Sequence, residues 1–305
     1  MSARPLQAFN SELHEQPWLS DCMDVMLRSS MDYVCIRGVQ LPLDKLVDRS
    51  FFEPERCKQL RDQLAGAQPF PYLVLDGLFH PALLELVAAE FDELPSSEWT
   101  DVRTKYESTR RSVPGVSLHP ASQLYFDIVN SGWFTEWLSS VTGVSYLLPD
   151  PKLVGGGLHE SREGATFAVH RDFSRHRDIG LRNAMVFITY LNKGWDPEWG
   201  SALELWDKKA DRCVTSIQPE FGRTIVMPHG PMSYHGHTKP LRTPDSRPRR
   251  SVAAYFYTSP AAGKRLGDES ASKFMHTERM DQAKAVARMI VPPIVWALGR
   301  KLFGR

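Results

Sequence analysis

Cysteine is scarce in this sequence. The four that occur are Cys22, Cys35, Cys57 and Cys213, and no two of them form a Cys-x-x-Cys pair. Zinc-binding and disulfide frameworks are built from closely or regularly spaced cysteines, so neither is indicated here. The sparse, irregular usage is typical of a protein in a reducing compartment.

Long apolar runs and an excess of one charge are also missing. The strongly apolar stretch at 289–298 contains Pro292 and Pro293 and is well short of the roughly 20 apolar residues of a spanning helix. The first 18 residues lack the apolar segment of a secretory signal. A formal net charge of +1 gives no electrostatic reason to expect a nucleic-acid partner. We therefore expect a cytoplasmic protein that does not bind nucleic acid.

Changes in amino-acid composition and periodicity along the sequence predict three segments. Residues 1–68 read as a mostly helical N-terminal extension that ends before Pro69-Phe70-Pro71. Residues 69–262 carry the patterns of a folded domain. Residues 263–305 read as a helical basic tail, which is compatible with contact to a membrane surface. Charged faces are usually solvated, so we expect this tail to pack on the domain or to lie in solvent.

The middle segment begins with helical signals and continues with strand signals. His80-Pro81 opens a predicted helix, and Ser122–Thr142 has the periodicity of one or two helices. After Leu153, short β-branched and aromatic runs alternate with turn residues. The predicted strands are Ala165–His170, Ala184–Leu191, Ala202–Trp206, Cys213–Ile217, Arg223–Met227 and Ser251–Tyr257. This order predicts an α+β fold in which helices brace a β-sandwich or barrel.

A candidate metal site lies at the end of the first of these strands. In an extended backbone, His170 and Asp172 point to the same side and can present an imidazole and a carboxylate to one point. A third ligand must come from elsewhere, and both His235 and His237 are available. Two imidazoles and one carboxylate on one face of a metal suit Fe(II) in oxygenases. Zinc sites use the same ligand types, so these residues alone leave the metal open.

One of two adjacent arginines, together with a tyrosine, suits the binding of a dicarboxylate beside this metal. Arg249 and Arg250 enter a predicted strand, where only one of the two can face the interior. A guanidinium there can bind a carboxylate through two parallel hydrogen bonds. Tyr190, at the end of another strand, can donate to the same carboxylate if it points inward; packing of its ring in the core is an equally good interpretation.

Taken in order, these motifs resemble the 2-oxoglutarate/Fe(II) oxygenases of the prolyl 4-hydroxylase-like superfamily. The resemblance covers roughly residues 69–262. It is carried by the ordered segments Gly155–Glu160, His170-x-Asp172, Tyr190–Trp195, Gly200–Trp206, Ser233–His237 and Arg249-Arg250-Ser251.

The resemblance implies a double-stranded β-helix, a jelly-roll core braced here by N-terminal helices. By position it implies Fe(II) bound by His170, Asp172 and His235. It also implies 2-oxoglutarate held by Arg249 with Tyr190, and O2 as the oxidant. The motif context selects His235 over His237 and Arg249 over Arg250.

The implied reaction is hydroxylation of an unactivated C–H bond, with succinate and CO2 as co-products. The family name suggests a prolyl residue or a small metabolite as substrate, but a fold does not fix a substrate. Two alternatives stay open at this point. One is a metal-dependent hydrolase with the same ligands, and the other is a non-catalytic β-sandwich that binds a ligand.

Overall fold

A computed structural model describes residues 33–259 and the backbone of residues 273 and 274. The α-helices in this part of the chain are α1 (Pro54–Gly66), α2 (Pro81–Glu90), α3 (Pro120–Val129) and α4 (Gly132–Thr142). Short 3-10 helices span Leu43–Lys45, Arg49–Phe52, Ser96–Glu98, Pro197–Trp199 and Pro244–Ser246. None of the helices in the described residues is both long enough and apolar enough to cross a bilayer.

The strands, in chain order, are β1 (Tyr33–Ile36), β2 (Val39–Pro42), β3 (Leu73–Leu75), β4 (Trp99–Arg103), β5 (Ser108–Ser112), β6 (Leu148–Pro149), β7 (Gly157–Ser161), β8 (Phe167–Arg171), β9 (Arg182–Tyr190), β10 (Leu203–Trp206), β11 (Cys213–Ile217), β12 (Thr224–Pro228), β13 (His235–His237), β14 (Arg249–Thr258) and β15 (Lys273–Phe274).

Two antiparallel sheets form the centre of the fold. The larger sheet has the order β3-β12-β9-β14-β7-β5-β4, with β6 attached to β14, and the smaller sheet has the order β11-β10-β13-β8-β15. The β1–β2 hairpin stands apart from both. Neighbouring strands that are far apart in the chain, such as β7 and β14, show that the order comes from non-local pairing rather than from successive hairpins.

The side chains of β9 alternate between the two faces of the larger sheet, and each face packs against a different hydrophobic core. Met185 and Phe187 belong to the hydrophobic cluster shared with the helices. Val186 and Tyr190 belong to a second cluster with residues of β10 and β11. Successive side chains of a strand point to opposite faces, so one strand supplies the helix-facing core and the core between the sheets. The Phe134 ring of α4 packs edge-on against Phe187 at 5.4 Å between centroids.

A capping side chain marks the start of two bracing helices, α2 and α4. Pro81 occupies the first turn of α2, where its missing N–H costs nothing, and the His80 side chain accepts a hydrogen bond from the Ala82 N–H. Ser131 caps α4, and Gly143 ends it in the left-handed conformation with φ of 72°. The periodic segment Ser122–Thr142 therefore forms two helices.

The structure confirms the expected α+β fold with a double-stranded β-helix core. Each predicted strand is present: Cys213–Ile217 coincides with β11, and the ends of the others are shifted by one or two residues. Four strands of the larger sheet were not predicted: β4, β5, β6 and β7. The residues of β4 and β5, WTDVR and STRRS, are too polar to stand out as strands, and β7 begins at a glycine.

The ends of the chain are described only in part. Within the predicted N-terminal extension, residues 33–66 contain the β1–β2 hairpin as well as α1. Leu41 and Leu60 there are fully buried in the same hydrophobic cluster as the helices α2–α4. The basic helix predicted within residues 263–305 lies outside the described residues, apart from the backbone pairing of β15 with β8.

Candidate active site

Two paired strands of the smaller sheet bring the predicted metal ligands together. His170 on β8 is directly paired with His235 on β13. Their imidazole centroids are 4.5 Å apart, and Asp172 follows immediately after β8. Residues far apart in the sequence are therefore side by side because two short strands pair in this register.

The ligand atoms of these three residues converge on one point. One atom from each of His170, Asp172 and His235 lies within 4.8 Å of the other two. Asp172 Oδ1 is 3.4 Å from His170 Nε2 and 3.7 Å from His235 Nε2. A single metal ion with three protein ligands on one face fits these positions.

Backbone carbonyls fix the orientation of both imidazoles. His170 Nδ1 lies 2.8 Å from the Ala168 carbonyl oxygen, and His235 Nδ1 lies 3.0 Å from that of Ser233. Because a carbonyl oxygen only accepts, each Nδ1 must donate its proton. The unprotonated nitrogen of each ring is then Nε2, the atom that faces Asp172, which is the usual support for a metal-binding histidine.

The charge states of the site also suit a cation. Burial alone raises the pKa of Asp172, but His235, the hydrogen bond with His170 and the nearby His229 outweigh it, and the pKa falls well below its usual range. Burial lowers the pKa of His235 to about 4. At neutral pH Asp172 is therefore a carboxylate and His235 a neutral imidazole, the protonation states that bind metals.

Arg249 and Tyr190 meet on the opposite wall of the same cavity. Arg249 lies on β14 and is 7% exposed, and Tyr190 at the end of β9 is 1% exposed. The guanidinium Nη2 donates to the Tyr190 hydroxyl at 3.4 Å, and its Cζ lies 4.9 Å from the ring centroid. Burial raises the pKa of Tyr190, which stays a neutral phenol at physiological pH.

No carboxylate among residues 33–259 lies within 4.0 Å of the Arg249 guanidinium. Its Nε is buried without a hydrogen-bond partner. A buried charge without a counter-ion is costly, so a buried unpaired guanidinium indicates the position of an anionic ligand.

The neighbouring candidates for these positions are placed differently. Arg250 points away from the cavity and forms ion pairs with Asp92 and Glu160. His237 lines the cavity, but its Nδ1 is 3.1 Å from the Ser201 hydroxyl, and it is not among the three residues that converge on one point.

The cavity between the sheets has a volume of about 330 Å³. Phe167 and Phe173 line it. His176, which also follows Asp172 closely in the chain, is buried 3.2 Å from Asp150 and does not line the cavity.

Several residues in or beside the cavity were not proposed as site residues from the sequence. Arg111 and His159 lie on the unpredicted strands β5 and β7, and Tyr255 lies on β14. His229, in the loop before β13, places its buried Nε2 3.6 Å from Asp172 Oδ2. A lone arginine or histidine in a polar segment carries no spacing pattern, so only the strand pairing reveals these positions.

The 2OG-Fe(II) oxygenase superfamily model matches residues 156–257, the segment that contains all five predicted site residues. None of the curated proteins compared with the chain is similar enough in sequence to count as a relative.

Solved structures with related folds include several hydroxylases. A prolyl hydroxylase from Trichoplax adhaerens, in complex with a hypoxia inducible factor peptide fragment, is 14% identical. The match covers 70% of this chain and 95% of that one, with a TM-score of 0.50. A Pseudomonas putida prolyl-4-hydroxylase is 19% identical, with 66% and 98% covered and a TM-score of 0.47. HygX from Streptomyces hygroscopicus, with nickel and 2-oxoglutarate bound, is 14% identical, with 66% and 92% covered and a TM-score of 0.43. At 14% identity, the similarity to the Trichoplax adhaerens protein concerns the fold alone.

Proposed function

We propose that this chain, whose residues 156–257 match the 2OG-Fe(II) oxygenase superfamily model, is a 2-oxoglutarate-dependent dioxygenase that hydroxylates an unactivated C–H bond of a prolyl residue or a small metabolite. In the balanced reaction, 2-oxoglutarate, O2 and the substrate R–H give succinate, CO2 and R–OH. One oxygen atom of O2 enters succinate and the other enters the product.

We assign the iron ligands to His170, Asp172 and His235. Their donor atoms share one point, both imidazoles are oriented by carbonyl acceptors, and the carboxylate stays ionised. Within the described residues, the buried Asp172 Oδ2 accepts no hydrogen bond, with His229 Nε2 still 3.6 Å away, and a bound cation would satisfy it. Bound Fe(II) supplies the activation of O2 that no protein side chain can provide.

The observation that carries the proposal is the pairing of this triad with the buried Arg249 in one cavity. A hydrolase or a simple binding module with the same ligands has no need for an unpaired cation in that wall. We assign Arg249 to the far carboxylate of 2-oxoglutarate and Tyr190 to a second hydrogen bond on the same group. This anchor fixes the orientation of the co-substrate, a contribution of positioning rather than of proton transfer.

The remaining walls of the cavity orient the substrate and exclude water. Phe167 stacks on the His170 ring with centroids 3.9 Å apart, and Phe173 packs against Tyr255 at 4.9 Å. These rings present apolar surface beside the metal position, where a C–H bond rather than a polar group must be placed. A mainly apolar wall with a few polar anchors is typical of small-molecule sites.

The proposal is tested by the release of succinate. Purified protein is incubated with Fe(II), 2-oxoglutarate and O2, with and without candidate prolyl peptides and small metabolites. We expect succinate formation that requires both Fe(II) and O2, is stimulated by the true substrate, and is lost in Asp172→Ala. A protein with the bound metal but no O2-dependent consumption of 2-oxoglutarate would contradict the proposal.

A further inference from the structure

A second arginine, Arg111, faces the cavity from β5, one of the strands that were not predicted from the sequence. Thr109 and Arg111 on β5 both line the cavity, whereas Arg110 between them points outward. Arg110 lies 3.4 Å from Glu160 and stacks on the Trp99 ring at 4.3 Å. The alternation of a strand therefore places Arg111, but not Arg110, on the inner face of the larger sheet.

Arg111 is at one end of a row of residues that crosses four strands. It is paired with His159 on β7, His159 is paired with Ser251 on β14, and Ser251 is paired with Tyr190 on β9. Neighbouring strands are about 4.8 Å apart, so the backbones of Arg111 and Tyr190 are separated by roughly 14 Å. Arg111 therefore enters the cavity from a strand that is three strands away from Tyr190 and two strands away from Arg249.

Arg111 is partly exposed and has no ion-pair partner within the described part of the chain. No carboxylate in residues 33–259 forms an ion pair with it, although Arg110 and Arg250 on the outer face each have at least one. Glu107 also lines the cavity, but its carboxylate accepts a hydrogen bond from the Thr109 hydroxyl at 2.5 Å.

His159, which is paired with Arg111 on the neighbouring strand, adds no second positive charge. Burial and, after it, the charge of Arg111 lower the pKa of His159 to about 4, so its ring is neutral at physiological pH. This end of the cavity thus presents one planar guanidinium beside an uncharged imidazole. A group of two coplanar oxygens matches that donor geometry.

We propose that Arg111 binds a carboxylate of the hydroxylated substrate, so that the substrate is a small carboxylic acid. This inference rests on the proposed function, in which Arg249 is already occupied by the co-substrate. A phosphate group carries more charge and is usually held by several cations, whereas Arg111 and Arg249 are the only arginines among the described residues that line the cavity, and Arg249 is assigned to the co-substrate. A prolyl residue inside a peptide has no free carboxylate to offer, so the site favours the acid of a small metabolite over a peptide interior.

The test uses anaerobic protein loaded with Fe(II) and 2-oxoglutarate. A panel of small carboxylic acids that includes L-proline, each with its primary amide, is titrated by calorimetry into wild type, Arg111→Gln, Arg111→Lys and Arg110→Gln. Arg110→Gln is the matched control, because it removes the same charge from the adjacent residue on the outer face. Thermal unfolding of each variant shows whether it is folded.

We expect at least one acid to bind roughly 10- to 100-fold more tightly than its amide, the range expected for a hydrogen bond to a charged group. Arg111→Gln should abolish this difference, Arg111→Lys should keep part of it, and Arg110→Gln should keep all of it. The inference is overturned if no acid binds, if acid and amide bind equally, or if Arg111→Gln binds the acid as wild type does.

Binding of the co-substrate is measured first in the same samples. If wild type does not bind 2-oxoglutarate, the proposed function fails. If wild type binds it and the acids do not bind, the function stands and the inference about Arg111 fails. Loss of 2-oxoglutarate binding in Arg111→Gln would assign Arg111 to the co-substrate and would also overturn the inference.

Discussion

Arg249 and Arg250 are adjacent in the chain and lie in opposite environments. Arg249 is buried against Tyr190 in the cavity wall, whereas Arg250 points outward to Asp92 and Glu160. The two side chains therefore provide a matched pair for separating co-substrate binding from stability.

We predict that Arg249→Gln weakens 2-oxoglutarate binding by about 100-fold or more, because two charge-assisted hydrogen bonds to a desolvated carboxylate are lost. Arg250→Gln should leave the affinity for 2-oxoglutarate within a few-fold and lower the unfolding temperature instead. The measurement is the dissociation constant for 2-oxoglutarate of the metal-loaded variants. Equal losses of affinity in both variants would mean that the anchor is misassigned.

The two histidines of β13 should differ in their effect on the metal. His235 Nε2 faces Asp172, whereas His237 contacts the Ser201 hydroxyl. We predict that His235→Ala reduces bound Fe(II) to background and that His237→Ala retains it. Metal content after dialysis, determined by atomic emission, gives the answer, and full iron occupancy in His235→Ala would refute the assignment.

His229 is expected to hold Asp172 in position without binding the metal. Its Nε2 lies 3.6 Å from Asp172 Oδ2, and burial lowers its pKa. Partners that orient a metal ligand typically contribute 10- to 100-fold to metal affinity. We predict a loss of about that size in the Fe(II) affinity of His229→Leu, with partial recovery in His229→Gln. An unchanged affinity in His229→Leu would show that Asp172 is oriented by other groups.

The stability of the fold should depend on pH through His159. Its pKa is about 4 in the folded protein and about 6.5 when unfolded, so the unfolded state binds more protons between these values. The contribution is present above pH 6.5 and is lost as the pH falls through 4. From pH 7 to pH 5 we expect wild type to lose about 1–2 kcal/mol more stability than His159→Gln. Urea unfolding at both pH values measures this difference, and parallel losses would contradict the prediction.

A buried carboxylate joins two of the bracing helices. Glu90, at the end of α2, accepts hydrogen bonds from the Ala121 and Ser122 N–H groups at 2.8 and 2.7 Å and from the Ser122 hydroxyl at 2.6 Å. These groups lie in the first turn of α3, where a negative charge is favourable. We predict that Glu90→Gln lowers the free energy of unfolding by about 1.5–3 kcal/mol. Chemical denaturation tests this, and a change below about 0.5 kcal/mol would count against it.

The sequence revealed the parts of the fold that have strong local signals. The run around Val186 and Phe187 is apolar on both sides of the strand, and His80-Pro81 is a capping signal, so both elements were predictable. The strands β4 and β5 were not, because their polar residues acquire a sheet only by pairing with each other and with β7.

The candidate site also has a part that could be predicted from the sequence and a part that depends on tertiary structure. His170 and Asp172 share a strand end, so their common direction follows from local geometry, and the family resemblance supplied the rest of the five-residue set. The contact of His229 with Asp172 depends on a loop conformation, and the position of Arg111 depends on the register between β5 and β7. Neither relationship leaves a pattern in the sequence, because the distances that create it are set by tertiary structure.

The central claim is that one Fe(II) ion binds to His170, Asp172 and His235 beside 2-oxoglutarate anchored by Arg249. The most direct test is the visible absorption of the anaerobic protein with Fe(II) and 2-oxoglutarate. We predict a weak charge-transfer band in wild type that requires both additions, is absent in Asp172→Ala, and needs a much higher 2-oxoglutarate concentration in Arg249→Gln. A fully metallated wild type without the band, or an equally strong band in Asp172→Ala, would contradict the account.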